Sequence, residues 1–146
     1  MIITIKKIDI AQEPERKNGL NSYWVEFESE LSSGQALLYS RTAIQTLLSG
    51  RPISVETSQY NTHDFQVLPK SNQSYVGKLI PLSTSTDYEV TGQVAIIYED
   101  GAFFVDVEPG RCSFALILDK IAPASVEKDD WVTFKVFGLE LWDEHY

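Results

Sequence analysis

The stretch DYEVTGQVAIIYEDGAFFVDVEPGRCSFALILD, Asp87–Asp119, decides the fold class of this chain. Read in steps of two, Tyr88, Val90, Val94, Ile96 and Tyr98 fall on one face, and Glu89, Thr91, Gln93 and Glu99 on the other. That period describes a half-buried strand. Asp100-Gly101 follows at once and suits the positive φ angles of a two-residue hairpin turn. Such a turn sets Tyr98 against Phe103, Ile96 against Val105 and Val94 against Val107. The next break, Glu108-Pro109-Gly110-Arg111, suits a second reversal. It sets Val107 against Cys112, Val105 against Phe114 and Phe103 against Leu116. Both turns point to one core face, and a slip of one residue would turn every one of these side chains to solvent. A three-stranded meander is the expectation.

Working outward, the chain of 146 residues suits a single domain, and 43% hydrophobic residues suffice for one core. No apolar run approaches the ~20 residues that span a bilayer. The first residues, Met1-Ile-Ile-Thr-Ile-Lys-Lys, place charge after a short apolar run, the reverse of a secretory signal, so a cytoplasmic protein is expected. One cysteine excludes an internal disulfide and a Cys-rich zinc site. The net charge of −9 is unevenly placed. Eight basic and eight acidic residues precede Ser85, whereas four basic and thirteen acidic ones follow. We therefore expect one domain with two lobes, a charge-neutral lobe over 1–84 and an acidic one over 85–146. Acidic surfaces keep proteins soluble, and segregated charge also marks partner surfaces.

Along the first lobe, Ile2–Ile10 reads as a strand and Gln12–Asn21 as an exposed loop. Tyr23–Glu30 alternates cleanly, with Tyr23, Val25 and Phe27 opposite Glu26, Glu28 and Glu30, and Ser32-Ser33-Gly34 turns it back into Gln35–Tyr39. Trp24 shares the glutamate face. Thr42-x-x-Gln45 is a capping-box pattern ahead of the stripe Ile44, Leu47, Leu48, and Gly50 with Pro52 ends this short helix. Ile53–Gln59 is a further strand. Tyr60–Thr86 is polar and broken by Pro69, Gly77 and Pro81, and reads as irregular. Near the end of the chain, Val132, Phe134 and Val136 share a face, but beyond Gly138 the apolar set moves to Leu139 and Leu141. That change predicts a β-bulge at Gly138.

The fold is thus all-β and mainly antiparallel with one short helix, built as a bent sheet or small barrel, with a two-sheet β-sandwich as the alternative. Residues 92–146, with a bulge-like Gly92, a meander, a connection and a bent strand, resemble an OB-fold barrel in strand order. The resemblance requires a helix within Lys120–Asp130 and implies single-stranded nucleic-acid binding.

No enzyme site emerges. Cys112 points into the predicted core and reads as a small hydrophobe. His63 and Asp64 are adjacent in an extended segment and so point apart, and His145 lies at the chain end. Glu127, Asp129 and Asp130 lack the central Gly and terminal Glu of a calcium loop. No cofactor and no metal is expected. For nucleic acid the positive groups would be Arg41, Arg51, Lys70 and Lys78 with Tyr60, Phe65 and Tyr75, against a later half that repels phosphate. A protein partner fits better. Trp131 and Trp142 share the terminal strand near Glu127, Asp129 and Asp130, and Phe104 and Ile97 form an apolar pair on the outer face. Aromatics with an acidic rim suit a basic protein partner. An immunity or inhibitor protein that neutralises a basic toxin is one concrete form, and a homo-oligomer is an open alternative.

Overall fold

The computed structural model describes residues 1–9, 16–17, 19–70, 74–83, 86–109, 111–117 and 125–144. Strand accounts for 65% of the chain and helix for 3%, the all-β class expected. The elements are β1 (Ile2–Ile8), β2 (Arg16–Lys17), β3 (Leu20–Ser29), β4 (Ser33–Ser40), α1 (Ile44–Leu47), β5 (Ile53–Val67), β6 (Lys78–Pro81), β7 (Tyr88–Ile97), β8 (Ala102–Val107), β9 (Cys112–Ile117) and β10 (Trp131–Asp143).

Five strands close into a ring. β1 pairs with β3 and β3 with β4, both antiparallel. β4 runs parallel to β10, Leu37–Tyr39 against Glu140–Trp142. β10 pairs with β5, and β5 returns to β1 at Ile2 and Ile3. Closure removes the free edges that an open sheet would present. The sandwich alternative is not what forms. Strands β5 and β10 are longer than the ring needs, and their far halves carry an arm. β7 pairs with β10, β8 with β7 and β9 with β8, while β6 lies on β7. The outer edge of β9 meets β5 through side chains. Thr57 Oγ1 donates to the Ser113 carbonyl at 2.6 Å, and Gln59 Nε2 donates to the Ala115 carbonyl at 3.0 Å.

The change of phase in β10 falls where the sequence placed it. Val132, Phe134 and Val136 are buried, and then Leu139 and Leu141. Its cause differs from the expected bulge. The ladder with β5 runs without a register shift from Lys135 to Asp143, so no residue is inserted at Gly138. Gly138 instead turns the strand by adopting φ 69°, a region open to glycine at no steric cost. The register shift lies earlier, between Thr133 and Lys135, where Asp64 on β5 has φ 54°.

The meander follows the expected register in its second hairpin. Val107 opposes Cys112, Val105 opposes Phe114 and Phe103 opposes Leu116. Gly110 of that turn lies outside the described residues. The first hairpin differs. The Tyr98 carbonyl accepts from Gly101 N at 3.1 Å and Tyr98 N donates to the Ala102 carbonyl at 2.8 Å, so three residues form the loop. Val94 therefore faces Val105, not Val107. A register shift between Val94 and Ile96 sets Ile96 against Phe104 and Ile97 against Phe103. The expected pairs Tyr98–Phe103 and Ile96–Val105 do not form.

Other expectations are corrected by packing. The segment after Gln59 is not irregular, because β5 continues through Val67 with β10 as its template. Within the expected loop Gln12–Asn21, Arg16–Lys17 pairs with Asn21–Leu20 and Leu20 is buried; Gln12–Glu15 and Asn18 lie outside the described residues, as does Ile10. The helix is a single turn without a side-chain cap. Thr42 does not form the capping box, since its hydroxyl donates to Asp143 at 3.0 Å. Leu47 is buried and Leu48 is 46% exposed. The later half does not make a barrel of its own: β10 completes a ring whose other four strands come from the first half. Of the expected helix position in Lys120–Asp130, residues 120–124 lie outside the described residues, and 125–130 form a turn and not a helix.

The core is one continuous cluster. In the arm, Phe65 meets Phe103 at 5.7 Å and Phe134 at 6.2 Å, and Phe134 meets Phe114 at 5.9 Å between ring centroids. Tyr88 joins arm to ring. Its ring lies 6.4 Å from Phe27 and its hydroxyl donates to the Gln35 carbonyl at 2.7 Å. Gly34 makes room for it, because a Cβ there would collide with the Tyr88 hydroxyl. Chemical denaturation tests this joint. Gly34→Ala is expected to cost roughly 1–3 kcal/mol by overpacking and Tyr88→Phe about 1 kcal/mol through the orphaned carbonyl. Phe114→Ala, fully buried, is expected to cost about 3–5 kcal/mol.

Candidate interaction surface

The residues assigned to a partner surface are split by the length of β10. Trp131 and Trp142 stand at opposite ends of that strand, about 35 Å apart along an extended chain. At the first end, Trp131 packs against Tyr75 at 5.9 Å, and the Tyr75 hydroxyl donates to the Pro69 carbonyl at 2.7 Å. At the other, Trp142 stacks on Tyr39 at 4.1 Å and donates from Nε1 to Ser58 Oγ at 2.8 Å. Both tryptophans are half-buried. They cannot share one contact patch.

The acidic triplet is largely occupied by the fold itself. Asp130 is 6% exposed, and its carboxylate accepts from Glu127 N at 2.9 Å, which closes the turn before β10. Lys70 Nζ lies 3.2 Å from Glu127 and 3.4 Å from Asp130. Hydrogen bonds to those two carboxylates hold the Lys70 amine above the usual lysine range. Of the three, Asp129 is exposed and makes no ion pair among the described residues.

The groups named for nucleic acid do not assemble either. Phe65 belongs to the arm's aromatic core, and Lys70 is committed to carboxylates. Arg41 sits at the end of β10 near Asp143, which binds the flanking Ser40 and Thr42 hydroxyls. Lys78 is on β6 opposite Thr91, and Arg51 precedes β5. Tyr60 is 87% exposed beside Gly138.

A different surface comes from the shift at Ala95. Strict alternation would send Ile96 and Tyr98 to the core, but the displaced register turns them outward. Ile96 is 50% and Tyr98 47% exposed. Phe104 faces Ile96 across the ladder and Ala115 on its other side. Tyr98 touches Phe104 edge-on at 5.8 Å, and Ile117, 45% exposed, extends the same face from β9. Four carboxylates lie near this apolar patch along the chain: Glu99 and Asp100 in the β7–β8 loop, Asp106 on the same face of β8 as Phe104, and Glu108 just past β8. None of them makes an ion pair among the described residues, although Asp106 accepts from Ser113 Oγ at 2.5 Å. The barrel carboxylates Glu26 and Glu28, by contrast, face Lys7 and Lys6. The expected outer pair Phe104–Ile97 is replaced by Phe104–Ile96. A signal was present in the sequence: Val94-Ala95-Ile96-Ile97-Tyr98 holds no polar residue to fix the phase of alternation.

No family model, curated protein or solved structure matches this chain. Among the described residues no group of three histidine, cysteine or acidic side chains is placed to hold a metal. None of their helices is long and apolar enough to cross a membrane. His63 is exposed and edge-on to Phe137 at 4.8 Å, while Asp64 pairs with Lys135 at 3.1 Å, so the two do not act on each other. His145 lies outside the described residues.

Cys112 is 1% exposed, and burial pushes its thiol up to about 11, opposed in part by contact with Thr57 at 3.5 Å. A raised folded-state pKa means that ionisation opposes folding only at high pH, so this group leaves stability unchanged near neutrality and lowers it as pH climbs toward 11. A thiol-reactive dye at pH 8 is expected to label the protein only after denaturant is added. Rapid labelling of the native protein would place the sulfur at the surface.

Proposed function

We propose that this chain is a non-enzymatic binding module that engages a basic protein through the outer face of its arm. The observation that supports this most directly is the apolar patch of Ile96, Tyr98, Phe104 and Ile117 beside four carboxylates that make no ion pair among the described residues. Contiguous apolar surface with a polar rim is how interaction sites differ from ordinary protein surface. The chemistry of the rim selects the partner. A second copy of this chain would bring Glu99 and Asp100 against like charge on a molecule of net charge −9, whereas a basic protein gains attraction and a faster encounter. An immunity or inhibitor protein acting in the cytoplasm on a basic toxin is one form such a module takes.

The strand order supports a second reading. The ring β1–β3–β4–β10–β5, with α1 between its third and fourth strands and one parallel pair, is OB-like, and such barrels use the face of their second and third strands for oligonucleotides. Here that face carries Trp24 opposite Leu37, Glu26 opposite Gln35 and Glu28 opposite Ser33. Lys7 and Lys6 neutralise those carboxylates, so these rows offer phosphate no net positive charge.

Capture from the native cell at low salt, with wild type and Ile96→Asp compared, tests the proposal. A basic protein retained by wild type, released by salt and weakened roughly tenfold or more by the substitution is the expected result. Equal capture by both forms, or tight salt-sensitive binding of a single-stranded oligonucleotide in a gel shift, defeats it.

A further inference from the structure

We propose that the cleft between the arm and the barrel is a socket for a lysine or arginine side chain of the partner. This rests on the protein-binding reading and adds a specific anchor to it. The cleft encloses about 400 Å³ and is lined by Met1, Val55, Glu56, Thr57, Phe104, Arg111, Ser113 and Glu144. It is continuous with the apolar patch, because Phe104 belongs to both. A volume at the low end of the ligand-site range suits one long side chain rather than a cofactor.

The lining is ordered in a way that fits such a side chain. Phe104 supplies apolar wall for an aliphatic stem, and a cation near its ring gains from its negative face. The barrel side carries two carboxylates. Glu56 is exposed, and Glu144 accepts from the Ser54 hydroxyl while its own amide donates to the Ser54 carbonyl at 3.0 Å, which fixes it beside the cleft. Neither carboxylate makes an ion pair among the described residues. Two cations share the space. The Met1 amine donates to the Val55 carbonyl at 2.8 Å. Arg111, in the exposed turn between β8 and β9 with φ 50°, lies on the arm side and stays beyond ion-pair distance of Glu56 and Glu144. An incoming cation finds two carboxylates that make no ion pair among the described residues, and competes with Arg111 and the Met1 amine for their field.

That competition gives substitutions of opposite sign. The probe is N-acetyl-arginine methylamide, with the norleucine and glutamate analogues as controls, followed by chemical-shift changes in the protein. The arginine probe is expected to bind weakly and to move the signals of Phe104 and Ser113. Glu56→Gln with Glu144→Gln is expected to weaken it at least fivefold, and Arg111→Ala to strengthen it several-fold. All three positions are at the surface, so the variants keep the wild-type unfolding temperature. Equal binding of the norleucine analogue, preference for the glutamate analogue, or weaker binding in Arg111→Ala overturns the socket. If the socket fails while Ile96→Asp still releases the captured protein, the partner surface stands and only its anchor is wrong.

Discussion

The architecture depends on one strand satisfying different partners along its length. β10 keeps β5 on one edge throughout, but its other edge pairs with β7 up to Val136 and with β4 from Glu140 onward. A buried strand cannot leave amides unpaired between two such partners without a cost comparable to lost hydrogen bonds. The gap is filled by Thr86 and Asp87. Leu139 N donates to the Thr86 carbonyl at 2.9 Å and Gly138 N to Asp87 Oδ1 at 3.2 Å. Gly138 supplies the turn in the strand at that point, which is why the ring and the arm can share two strands without sharing a sheet plane.

Sharing has a consequence for the arm. Its innermost strand is held by a ladder, but β9 is held on its outer side only by side chains of Thr57 and Gln59. Two hydroxyl and amide contacts cover an edge that would otherwise offer its carbonyls to another chain. The arm's outer face is apolar because the ladder slips at Ala95, which turns Ile96 and Tyr98 outward.

Charge divides along the same lines. Glu26 and Glu28 on the barrel and Glu127 and Asp130 in the turn before β10 have lysine neighbours. Glu99, Asp100, Asp106 and Glu108 on the arm make no ion pair among the described residues. Ion pairs at exposed positions contribute little to stability, so leaving four carboxylates unpaired costs the fold little and leaves their field available to a partner.

How much of this was legible in the chain follows from the range of the forces involved. Alternation in Tyr23–Phe27, in Phe103–Val107 and Cys112–Leu116, and the change of phase at Gly138, are set by neighbours one or two residues apart, and each was read correctly from the sequence. So was the burial of Cys112. The register at Ile96 was not, because an unbroken apolar run offers no polar residue to choose between faces, and the ladder with β8 makes the choice. The path of Tyr60–Val67 was not, because polar residues form a strand only when a template such as β10 is present. Thr42 was assigned to a helix cap on local spacing, but a carboxylate more than a hundred residues away takes its hydroxyl. The placement of Trp131 and Trp142 on one strand was legible; that they stand at its opposite ends, and that the exposed apolar face lies on the arm, was decided by pairing between distant segments, which no local pattern encodes.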